Sequence, residues 1–217
     1  MSHSLHRYGS VENLKNDYCI YSRAARGVNR DNCGDKLRGI LEIYLSENVI
    51  NFGSSHSGKC FLAGLKPEEY AKSLDNSYGI IATFADRDSV LNVLRKMKAA
   101  DMGISVVVSG LIDEVKEIAH EAELKPHTVL LSLGTYGKKS LLPEKETREI
   151  VTMCGHSLIG SGLVRSVVRK VRSGEQSSEE GALQLTEPCT CGIFNTERCK
   201  ELLEKMLSAP EESREGD

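Results

Sequence analysis

Seven cysteines are spread through this 217-residue chain, and three stretches set soft metal ligands close together. The first is His56-Ser57-Gly58-Lys59-Cys60. The second is Cys154-Gly155-His156. The third is Cys189-Thr190-Cys191-Gly192, with Cys199 eight residues further on. Glycine beside a cysteine leaves room for a bulky ion and lets backbone N–H groups reach a thiolate sulfur. Pro188 stiffens the approach to the last pair. Seven is odd, so complete internal pairing is impossible. In a reducing compartment, clustered thiols bind metal or do redox chemistry more often than they form disulfides.

Thiolates gathered from dispersed segments suit an iron–sulfur cluster, 4Fe–4S or 2Fe–2S, and the expected ligands are Cys60, Cys154, Cys189 and Cys191. His56 and Lys59 would then stand beside a small-molecule substrate as proton donor and charge partner, in redox or sulfur chemistry. Four Cys or His ligands hold zinc equally well. A zinc-stabilised, non-catalytic binding or regulatory module is therefore the alternative, although the one-residue spacing of Cys189 and Cys191 departs from the wider knuckles of structural zinc sites. A third reading makes Cys60 a nucleophile with His56 as its base; at i and i+4 these meet only on a helix. Cys19 and Cys33 read as small hydrophobes or incidental thiols, and Cys199 as a buried helical residue.

The first of these stretches carries a further question. Val49 to Leu65, "VINFGSSHSGKCFLAGL", runs from a strand into a glycine-framed loop, and Gly53 to Cys60 resembles the phosphate-binding loop of a nucleotide hydrolase. Such a loop needs a helix starting at once behind it and a hydroxyl to hold magnesium. Here Gly64 and Pro67 interrupt helix formation, and Cys60 offers a thiol, a poor magnesium ligand. The expectation is that ATP and GTP do not bind.

The elements that must position these residues are legible as periodicity. Apolar residues at Leu37, Ile40, Leu41, Tyr44 and Leu45 fit a helix over 36–45, followed by a strand in "NVINF". A helix starts near Pro67, with Glu68 and Glu69 behind it. Then a pattern repeats: strand 78–84, helix 86–102 capped by Asp86, strand 104–110, helix 111–124 and strand 127–134. Strands alternating with helices imply parallel pairing through crossovers. Near-continuous apolar strands imply a sheet covered on both faces. The expected fold is α/β with a mostly parallel sheet, and functional loops gathered at the strand C-termini: 54–57, 85–87, 109–110 and 134–138. Residues 142–174 read as one or two helices, broken around 155–162, with Pro143 in a first turn. A short helix and the Pro-Cys-Thr-Cys-Gly turn follow within 177–195, then a helix over 196–207 capped by Thr196. This divides the chain into an α/β core with a polar N-terminal segment (1–140), a helical part carrying the cysteines (141–208), and an acidic, disordered tail (209–217). Residues 1–30 give little periodic signal. Arg23, Arg26 and Arg30 form a loose basic group there that reads as solvated surface.

Composition narrows the partners. With 28 basic and 31 acidic residues the net charge is −3, which argues against bulk electrostatic binding of nucleic acid. No apolar run has the roughly 20 residues of a membrane span, and "MSHSLHRYGS" lacks the apolar core of a signal peptide. The expectation is a cytoplasmic protein that meets a small-molecule substrate or a redox partner protein, not nucleic acid or membrane, with homo-oligomers possible.

Overall fold

A computed structural model describes residues 7–53 and 58–208. The acidic tail lies outside the described residues, as do the loop residues 54–57 with His56. In chain order the elements are α1 (Val11–Leu14), β1 (Tyr18–Arg23), α2 (Gly34–Leu45), β2 (Val49–Gly53), α3 (Pro67–Ser73), β3 (Gly79–Phe84), α4 (Arg87–Ala100), β4 (Ser105–Ser109), α5 (Ile112–Glu121), α6 (Lys145–Val151), α7 (Ser161–Arg172), α8 (Ser178–Thr186) and α9 (Thr196–Ser208).

The four strands form one sheet in the order β2-β3-β1-β4, and every neighbouring pair is antiparallel. This corrects the expected mostly parallel sheet. The cause is β1. Its sequence, "YCIYSR", sits in the stretch that gave little periodic signal, yet it inserts between β3 and β4 and pairs with both. β3 and β4 do run the same way and are joined through α4, as a crossover requires, but they never touch. The result is a βαββαβ path with its crossovers split by an intervening strand, the split βαβ arrangement.

A second correction follows from the first. In an antiparallel sheet the strands end at opposite edges. The loops after β1 and β2 lie at one edge, and 85–87 and 109–110 lie at the other, so the expected loops do not gather into one site. The strand expected over 127–134 is also absent: this stretch has no regular structure and is exposed. β4 is left as an edge strand.

Each face of the sheet is covered by helices. On one face, Leu37, Ile40, Leu41 and Tyr44 of α2 and Val90, Leu91, Val93 and Leu94 of α4 pack against Tyr18, Ile20, Phe52, Ile80, Ala82 and Phe84. On the other, Cys19 and Ile81 meet the apolar sides of α6–α9, including Ile150, Val164, Val167, Leu185, Leu202 and Leu203. Strand alternation makes this possible, since successive side chains point to opposite faces. β3 is buried at every position. No helix among the described residues is long and apolar enough to cross a membrane.

Local signals set most helix boundaries. Asp86 caps α4 by accepting from Ser89 N, Pro67 opens α3, and Ser177 with Glu180 forms a capping box on α8. Two expectations shift by a residue or two. Asn195, not Thr196, caps α9, its Oδ1 accepting from Arg198 N at 3.1 Å. Pro143 lies just outside α6, which starts at Lys145 after Glu144.

Candidate metal centre

The turn after α8 is where the cysteines meet. Cys189, Thr190, Cys191 and Gly192 form a tight turn, with Cys189 N donating to Thr186 O and Gly192 N to Cys189 O. Gly192 has φ +76°, a left-handed conformation that costs glycine nothing. The turn lies directly on the end of β2. A Cβ on Gly192 would fall 2.5 Å from Phe52 O and 2.6 Å from Gly53 N, and one on Gly53 would fall 3.0 Å from Thr190 O. Two glycines thus allow backbone to rest on backbone. Thr83 Oγ1 donates to Gly192 O at 3.0 Å and ties the turn to β3.

This contact brings four of the predicted residues together. Cys189 Sγ and Cys191 Sγ stand 4.0 Å apart. Cys154, in the turn after α6, lies close enough to Cys189 for each thiol to shift the other. Cys60 acts on Cys189 electrostatically from the loop after β2. Cys60 and Cys189 are wholly buried, and Cys191 and Cys154 are 1% and 2% exposed. All seven cysteines are buried free thiols.

Sequence reasoning gave two neighbours too little weight. His156, on the exposed rim, has Nδ1 3.6 Å from Cys191 Sγ; its spacing from Cys154 was the only signal. Asn51, fully buried in β2, donates from Nδ2 to Cys60 Sγ at 3.5 Å and to Phe194 O at 3.4 Å. Its Oδ1 accepts from Leu62 N. Nothing in the sequence marked it.

The other predicted residues stand apart. Lys59 is half-exposed and 3.9 Å from Glu69. His56 lies outside the described residues. Behind Cys60 comes a single 3-10 turn, Phe61–Ala63, and not an α-helix. Cys33 is buried in the opposite apolar cluster, its thiol 3.5 Å from Ser77 O. Cys19 is held by Arg7, whose Nη2 is 2.9 Å from the sulfur. Cys199 is buried inside α9.

Crowding splits the thiols. The Cys189 thiol, and then burial, push Cys154 well above its ordinary range. Cys154 draws Cys189 down, but Cys191 and burial prevail and push it up to about 12. Cys191 moves the other way, lowered by the hydrogen bond from Cys189 against its own burial. Backbone N–H groups already point at two of the sulfurs, from His156 and Leu158 to Cys154 and from Ile193 to Cys191. Of Cys154, Cys189 and Cys191, it is Cys191 that is drawn toward the thiolate, and ionising all three side by side would need a cation to balance them.

Among the described residues, no group of three or more His, Cys, Asp or Glu side chains is arranged as a ready metal site. Compared with family models, with curated proteins and with solved structures, the chain matches nothing.

Proposed function

We propose that this protein is a metal-stabilised binding module in which Cys154, His156, Cys189 and Cys191 hold one tetrahedral ion of the zinc class. The spacing of the donors supports this reading. Metal–sulfur and metal–nitrogen bonds of about 2.3 and 2.05 Å at tetrahedral angles place sulfurs about 3.8 Å apart and sulfur and nitrogen about 3.6 Å apart. Cys189 and Cys191 stand at 4.0 Å, and Cys191 and His156 at 3.6 Å. Cys154, whose thiol acts on that of Cys189, would supply the fourth ligand. Four protein ligands leave no open position, which makes the ion structural. Its binding would replace the thiol protons and link the α6–α7 turn to the α8–α9 turn.

A second reading is an iron–sulfur cluster on Cys60, Cys154, Cys189 and Cys191, acting in redox or sulfur chemistry. What favours it is the approach of Cys60, a fifth soft donor beyond the needs of one tetrahedral ion. Metal analysis of protein purified without oxygen or chelator separates the two. The zinc reading expects colourless protein with about one zinc per chain. Cys154→Ser, His156→Ala, Cys189→Ser and Cys191→Ser each lower that content, while Cys19→Ser and Cys60→Ser keep it. Brown protein with iron and acid-labile sulfide, bleached by Cys60→Ser and unaffected by His156→Ala, establishes the second reading. Protein that takes up neither metal overturns both.

A further inference from the structure

We infer that Arg23, Arg26 and Arg30 form a binding site for the phosphate group of a small molecule. Arg23 ends β1, and Arg30 lies beyond the turn that follows it. Both guanidinium groups lie against the Tyr78 ring, at 5.0 and 4.0 Å from its centroid. The two guanidinium carbons are therefore within about 9 Å of each other, the sum of those distances. Two like charges share one ring, and among the described residues no carboxylate comes within ion-pair distance of Arg23, Arg26 or Arg30. The nearby acids Asp35 and Asp75 are both taken by Arg38, and Asp31 pairs with none of the three.

Stacking occupies the faces of a guanidinium and leaves its edge N–H groups free. Among the described residues, the side-chain hydrogen bond these arginines make is Arg23 Nη1 to Tyr21 Oη at 3.2 Å. The remaining donors suit a tetrahedral oxyanion.

The cradle is preformed. The intervening turn is closed by Ala25 N donating to Asn29 Oδ1 at 2.6 Å and by Val28 N and Asn29 N donating to Ala25 O. Asn29 Nδ2 anchors it to Gly103 O. Arg26 stands within this turn. Three arginines on a chain of net charge −3 supply a local site and not the extended basic surface that a nucleic acid needs.

The site also has a place relative to the thiols. Arg23 pairs with Gly79 and Gly53 with Ile81, so β1 and β2 end at the same sheet edge. Two strand spacings and a two-residue offset put the Arg23 and Gly53 backbones about 12 Å apart. Along β1, Arg23 falls on the same strand face as Cys19 and Tyr21, which face the helices that carry the thiols. The inference itself needs no metal.

Titration calorimetry with inorganic phosphate and with pyrophosphate, in chloride at constant ionic strength, tests it. Saturable binding of one anion per chain is expected. Arg23→Gln and Arg30→Gln should each weaken it by about tenfold or more, since each removes a charge-assisted contact. Tyr78→Leu, which keeps every charge and removes the platform, should weaken it about fivefold. Arg169→Gln, on the exposed side of α7, should leave it unchanged, and none of the four should alter metal content. Absence of saturable binding overturns the inference, as does equal affinity in Arg30→Gln. Tighter arginine-dependent binding of a single-stranded RNA oligomer than of pyrophosphate replaces the small molecule with a polyanion and also overturns it.

Discussion

Gly192→Ala tests the contact on which the thiol set depends, and Gly174→Ala provides its control. Both glycines have nearly the same left-handed backbone, with φ of +76° and +75°. Either alanine carries the cost of that conformation, about 1 kcal/mol. Around Gly174 an added Cβ meets nothing within 4 Å. At Gly192 it meets the backbone of β2, 2.5 Å from Phe52 O and 2.6 Å from Gly53 N. Ordinary contact begins near 3.4 Å, so the turn must back away from β2 by roughly 1 Å, at an overpacking cost of about 1–3 kcal/mol. The expected destabilisation is about 1 kcal/mol for Gly174→Ala and about 2–4 kcal/mol for Gly192→Ala. Urea unfolding followed by circular dichroism, with chelator in both samples, measures the difference. The same displacement should lower metal content in Gly192→Ala alone. If the two variants unfold within about 0.5 kcal/mol of each other, the turn does not rest on β2 as described, and the positioning of the cysteines needs another explanation.

Three further outcomes are expected. Arg198 is fully buried and donates to Asn13 Oδ1 at 2.6 Å, Asp17 Oδ2 at 2.8 Å and Tyr8 O at 2.6 Å. Arg198→Met should cost about 3–5 kcal/mol in urea unfolding, because it strands these acceptors, whereas loss of the exposed Arg38–Asp35 pair in Arg38→Gln should cost less than about 1 kcal/mol. Burial raises the Cys19 thiol from 9.0 to about 11. The folded protein therefore holds a proton that the unfolded chain releases, and the contribution of Cys19 is whole below pH 9.0 and is lost as pH rises to about 11. Stability should fall by about 2 kcal/mol more across that interval in the parent than in Cys19→Ala, as read from urea midpoints. Ser177→Ala removes the capping box of α8 and should cost about 1 kcal/mol in the same assay, with metal content intact.

The sequence by itself determined the local elements. Apolar spacing located α2, α4 and α5, and Asp86 and Pro67 placed helix starts, because these signals act within one or two turns of chain. It also singled out Cys60, Cys154, Cys189 and Cys191 by residue type and spacing. Only the tertiary structure decided which strands are neighbours. A strand's own pattern says which face is buried but not who completes its hydrogen bonds. The alternation of Tyr18, Ile20 and Ser22 with Cys19, Tyr21 and Arg23 is too polar on one side to announce a central strand, yet its insertion turned an expected parallel sheet antiparallel. The strongly strand-like 127–134 remained irregular, since pattern without a partner is not a strand. The meeting of the cysteines was decided in the same way. Two glycines far apart in sequence, Gly53 and Gly192, let one backbone lie on another, and that long-range fit sets the Cys189–Cys191 turn on the end of β2, the strand that precedes Cys60.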